Sequence, residues 1–185
     1  MGLVALAIWL AHGADLASRG EAIDLLWICN MGALLLTLGC LFRQRIVLAV
    51  GLLWMLPGEL FWTLDMLTGG EILVSSFALH LVIPVLGFLT IRRVGWPTGA
   101  WWVASLSLLP LALLTHVASP ESRNINLAFH IEEGWEGVFP SFPIYAAVVV
   151  GSNVILYRLL SPLIVHFASG TESEPPGQKE RSCAT

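Results

Sequence analysis

Residues 46–67 read IVLAVGLLWMLPGELFWTLDML, and the fold follows from what such a run can do. At about 1.5 Å per residue it is long enough to cross the roughly 30 Å hydrocarbon layer of a bilayer. It holds two carboxylates, Glu59 and Asp65, and no basic residue. Stretches at about 23–42, 72–91, 98–118 and 141–167 have the same character. Residues 1–17 form a shorter apolar segment interrupted by His12 and Asp15. That start lacks the basic onset and small-residue cleavage site of a secretory signal, so it reads as a retained first helix.

Composition agrees. Of 185 residues, 56% are hydrophobic and only 12% charged, with a mean hydropathy of +0.78. Soluble domains carry about 25% charged residues. Half that share leaves too little polar surface to cover a globule, so lipid must be part of the solvent. The expected fold is therefore all-α: a polytopic transmembrane helix bundle of five to six spanning helices. It forms a single domain over 1–168, followed by a disordered cytoplasmic tail over 169–185 that includes TESEPPGQKERSCAT. Pro57 and Pro84 fall inside spans and predict kinks, because neighbouring helices can re-satisfy the freed carbonyls.

The formal net charge is -4 and the nine Lys and Arg residues are scattered, which excludes a nucleic-acid partner. Three cysteines, two inside apolar runs, give neither a disulfide framework nor a zinc pattern, so no metal or other cofactor is expected. The expected partner is the lipid bilayer itself.

Basic residues in short loops set orientation. Arg43, Arg45, Arg92, Arg93, Arg158, Lys179 and Arg181 fall on one side of alternating spans, against Arg19 and Arg123 on the other. The richer side is expected to be cytoplasmic, with the C-terminus inside. The long acidic connection SPESRNINLAFHIEEGWEGVFP then faces out.

Ionisable groups at membrane depth are costly and mark candidate sites. Cys29, Asn30, Glu59 and His80 share one depth, roughly 9–12 Å below the outer interface by helical rise. Asp65 and His116 lie nearer that surface. Each has a bland alternative: Cys29 as a small packing residue, Glu59 as a protonated group or a partner for a proline-freed backbone, Asp65 and His116 as solvated side chains. A buried imidazole still needs hydrogen-bond partners, which makes His80 harder to dismiss. Trp96, Trp101 and Trp102 read as interface anchors. The sharper reading pairs Cys29 as nucleophile with His80 as base, since a thiol is a weak nucleophile until an imidazole takes its proton. Glu59 or His116 then orients the imidazole or contacts a substrate head group.

The runs DLLWICNMGALL, FALHLVIPVLGF, NINLAF and FPSFPIYAAVVV occur in that order. Together they resemble the YwaF-like integral membrane family over about residues 23–160. The resemblance implies a Cys–His catalytic pair at Cys29 and His80, and acyl transfer on phospholipids as in the family's animal branch. Its Asn-x-Asn matches Asn124 and Asn126, which join Glu59 and His116 as expected substrate-binding positions. The N-terminal part is abbreviated here, and HIEEGWEG is an acidic insertion. The expected function is thiol-dependent acyl transfer or hydrolysis on a lipid. The alternatives are a non-catalytic scaffold or cofactor binder, and a small proton-coupled transporter using Glu59, His80 and Asp65 as a relay.

Overall fold

The structure is a computed structural model that describes residues 1–67 and 73–169. The expected tail from residue 170 onward lies outside the described residues. The chain is an all-helical bundle: α1 Gly2–Ser18, α2 Ile28–Phe42, α3 Arg45–Leu67, α4 Val74–Val94, α5 Ala100–Leu106, α6 Leu108–Ala118 and α7 Phe142–Ser169. Short 3-10 turns cover Ala22–Leu26, Glu121–Arg123 and Ile125–Leu127. No β-strand occurs among the described residues.

Four helical segments are long and apolar enough to cross a membrane: α3, α4, the α5–α6 pair and α7. How much of each the bundle buries differs sharply. The apolar window of α3 is 56% buried inside the bundle, that of α7 only 11%. The rest of the described chain thus leaves most of the apolar surface of α7 uncovered. α1 and α2 are shorter, at 17 and 15 residues.

Two expected spans are interrupted, each for an identifiable reason. The 98–118 span breaks at Ser107 into α5 and α6. Pro110 has no N–H to give the Leu106 carbonyl one turn back, and its ring crowds that carbonyl. The 23–42 span breaks at Trp27, whose extended backbone separates the Ala22–Leu26 turn from α2. Pro57 and Pro84 stay within continuous α3 and α4.

The tightest seam joins α2 to α3, where small residues let the backbones touch. A Cβ on Gly51 would lie 2.6 Å from the Leu36 nitrogen and 2.7 Å from the Gly32 carbonyl oxygen, so only glycine fits. Leu36, Leu48, Leu53, Met55, Leu79 and Ile83 fill the core around this seam. The closeness continues to the end of the seam, where Gly58 meets Cys29.

Candidate active site

The up-and-down path of the chain brings the end of α1, the start of α2, the end of α3 and the start of α4 to one end of the bundle. His80 on α4 is its centre, 4% exposed. Its Nδ1 lies 3.0 Å from Glu59 Oε1 on α3. Trp62, three residues after Glu59 and so on the same face, stacks flat on the imidazole with ring centroids 4.7 Å apart and planes 7° from parallel. The indole is fixed in turn by its Nε1–H, which donates to Ser76 Oγ at 3.1 Å. In the neutral tautomer with the proton on Nδ1, Glu59 accepts it and Nε2 is left with its lone pair.

Cys29 occupies the first turn of α2 rather than the middle of a continuous helix. Its Cβ is what a Cβ on Gly58 would strike, at 2.7 Å. The thiol is within electrostatic reach of Glu59 and lies beside the backbone N–H groups of Cys29 and Asn30. Those are first-turn donors that a helix leaves without carbonyl partners. Cys29 on α2 thus approaches Glu59 on α3, and His80 on α4 bonds Glu59; the described residues show no hydrogen bond between the thiol and the imidazole. Cys40, deeper on α2, contacts Thr90 Oγ1 at 3.3 Å and takes no part.

A second histidine, on which the sequence reading placed no role, completes the cluster. His12 on α1 is 3% exposed. Its Nδ1 is 3.1 Å from Ser75 Oγ, and Ser75 donates to Asp15 Oδ2 at 2.5 Å. Asp15 also accepts from Arg19 Nε at 3.1 Å. His80 lies within electrostatic reach of His12, and the Asn30 side chain within hydrogen-bonding reach of it. A symmetry of position was available as a signal: His12 stands six residues before the end of α1 at Ser18, and His80 six after the start of α4 at Val74.

The remaining expected site residues lie elsewhere. Asn126 Oδ1 accepts the Ile28 N–H at 2.7 Å, and its Nδ2 donates to the Leu26 carbonyl at 2.8 Å and to Thr115 Oγ1 at 3.0 Å. The side chain therefore inserts at the Trp27 break and explains it. Asn124 organises its own loop: Oδ1 accepts from Phe129 and His130 N–H, and Nδ2 donates to the His130 carbonyl and Glu132. Both residues have positive φ, at 39° and 55°, which asparagine tolerates better than most. Arg123 pairs with Asp24 and pins the same loop to the turn before α2. His116 is exposed on α6 and stacks on Phe129, away from His80.

Toward the arginine-bearing end, the buried polar groups are hydroxyls, namely Thr37, Thr90, Tyr157 and Ser161. The carboxylates and buried imidazoles described above all sit at the other end. No group of three or more His, Cys, Asp or Glu residues that could hold a metal ion occurs among the described residues. An apolar groove of about 340 Å³ runs between α2, α3 and α6, past Met31, Val50, Trp54 and Leu111. Met31 is about 200° around α2 from Cys29, so groove and thiol use opposite faces.

Comparison of the chain with protein-family models, with curated proteins and with solved structures finds no match.

Proposed function

We propose that the protein is a membrane enzyme that transfers an acyl group from a lipid ester through a thioester on Cys29. The observation that carries this reading is the His80–Glu59 contact of 3.0 Å, with Cys29 packed against the neighbouring Gly58 of α3. A nucleophile needs a base, and the base needs a third group to hold its tautomer. Glu59 holds Nδ1–H, so Nε2 is the nitrogen that takes the thiol proton. Thiol and imidazole are not yet in contact, and catalytic hydrogen bonds commonly tighten only around substrate.

The steps balance as follows. Nε2 of His80 removes the Cys29 proton as the sulfur attacks the ester carbonyl carbon, forming a C–S bond. The ester C–O bond breaks, and the departing alkoxide takes the proton back from His80. A hydroxyl then gives its proton to His80 and attacks the thioester, the C–S bond breaks, and the sulfur regains its proton. Developing charge on sulfur or oxygen near the start of α2 is favoured by the first-turn N–H groups and the helix dipole. Along the lines of the YwaF-like resemblance, the lipid is a phospholipid. On the basic-residue asymmetry, the site opens to the outer leaflet and the C-terminus is cytoplasmic.

A transmembrane proton relay finds less support, because the carboxylates and buried imidazoles stop at one end of the bundle. The test is mass-spectrometric profiling of phospholipids in membranes expressing each variant. Cys29→Ala should abolish the lipid change produced by the wild type, and Cys29→Ser should nearly do so. Cys40→Ala should match wild type. An active Cys29→Ala protein would refute the thioester.

A further inference from the structure

The basic residues of this chain are almost all of one kind: a single lysine, Lys179, stands against eight arginines. Arg43, Arg45, Arg92, Arg93 and Arg158 lie toward one end of the bundle, and all five are exposed. The carboxylates described above sit at the other end. No salt bridge among the described residues reaches Arg43, Arg45, Arg93 or Arg158.

Two contacts gather these arginines around the connection from α4 to α5. Arg45, at the start of α3, leans across to it, with Nη1 3.9 Å from where a Cβ on Gly95 would lie. Gly95 is two residues past Arg93, so both arginines border the same short stretch of backbone. Further along the connection, Trp101 takes the Arg158 guanidinium of α7 over its ring, 5.1 Å from the centroid. Such a contact holds the guanidinium while using none of its five N–H donors.

Large apolar side chains are exposed directly beside these groups: Phe42 next to Arg43, Trp102 next to Trp101, and Leu159 next to Arg158. A free phosphate would answer the arginines and leave that apolar surface wet. A phospholipid answers both, because its phosphate is joined to its acyl chains. Guanidinium forks match phosphate oxygens bidentately, which a lysine cannot do. The uncompensated positive charge favours a head group of net negative charge over a zwitterionic one, whose own ammonium would be repelled.

We infer that the α4–α5 connection, flanked by Arg45 and Arg158, binds the head group of an anionic phospholipid. The site lies at the opposite end of the bundle from Cys29, so the lipid held here is not the acyl donor. The inference rests on the chain being embedded in a bilayer and stands without the thioester.

The experiment is native mass spectrometry of the full chain in detergent, titrated with phosphatidylglycerol or with phosphatidylcholine of the same acyl chains. Phosphatidylglycerol should bind at least about fivefold more tightly, and added salt should shrink the difference. Arg45→Gln and Arg158→Gln should each weaken phosphatidylglycerol binding about fivefold and leave phosphatidylcholine binding unchanged. Arg123→Gln, at the far end, should bind both lipids as the wild type does. Should a glutamine variant misfold on size-exclusion chromatography, Arg45→Lys and Arg158→Lys keep the charge without the fork and should show a smaller loss in the same direction. Equal affinity for the two lipids would overturn the inference, as would an Arg123→Gln loss matching that of Arg45→Gln. Displacement of phosphatidylglycerol by an equal concentration of inorganic phosphate would assign the site to the free anion and overturn it too. So would a dimer that forms through this face and excludes lipid.

Discussion

Asn126 caps the helix that carries Cys29 from 98 residues further along the chain, its Oδ1 accepting the Ile28 N–H at 2.7 Å. One carboxamide thereby joins the long loop, the turn before α2, the first turn of α2 and, through Thr115, α6. The placement of the thiol depends on a residue far from it in sequence.

Asn126→Ala should accordingly loosen the start of α2. Each buried backbone group left unpaired costs on the order of 1–3 kcal/mol. The melting temperature should fall, and amide exchange at Ile28 should accelerate by one or more orders of magnitude. Asn124→Ala should speed proteolysis of the loop at residues 128–134 and leave exchange at Ile28 unchanged. Equal exchange at Ile28 in both variants would contradict the capping role.

Gly58→Ala tests the fit between α3 and the thiol. The added methyl would stand 2.7 Å from Cys29 Cβ, so the helices must part by several tenths of an ångström, at a cost of about 1–3 kcal/mol. Labelling of Cys29 by a thiol reagent should change. Gly137→Ala, where an added Cβ meets nothing within 4 Å, is the matched control.

Glu59→Gln keeps the shape of the His80 partner and removes its charge. If Glu59 holds the tautomer, acylation of Cys29 should fall about 10²-fold or more with little loss of stability. Trp62→Leu removes the stacked ring and should weaken the same step less, because the Glu59 contact survives. An active Glu59→Gln protein would leave Glu59 as a packing group.

The Arg123–Asp24 pair is exposed on its arginine side, so Arg123→Ala should cost at most about 1 kcal/mol. That tolerance makes position 123 suitable for topology mapping. A cysteine placed there should react with a membrane-impermeant reagent from outside, and one at position 93 only from inside. The opposite pattern would invert the orientation read from the basic residues.

The spans were legible because the lipid-facing and core-facing demands on each helix are both apolar, so continuous hydrophobic runs mark them directly. Their interruptions were harder to see. Pro110 could have signalled the break at Ser107, whereas the break at Trp27 depends on a side chain arriving from residue 126, which no local pattern encodes. Depth along the helices grouped Cys29, Glu59 and His80, of which the structure pairs Glu59 with His80. Depth alone could not choose among helical faces, so His116 joined the expected site although it points at Phe129. His12 was left out because it sits on the shortest and least certain expected span. Its partners Ser75 and Asp15 only become neighbours once α1 and α4 pack together.

α6 follows the break at Ser107, flanks the apolar groove, and is held near its far end by the Thr115–Asn126 hydrogen bond. Its exposed leucines, Leu109, Leu113 and Leu114, present a broad apolar face outward. The carboxamide that holds Thr115 on this helix also accepts the Ile28 N–H. A shift of α6 would therefore be passed by one side chain to the turn next to Cys29.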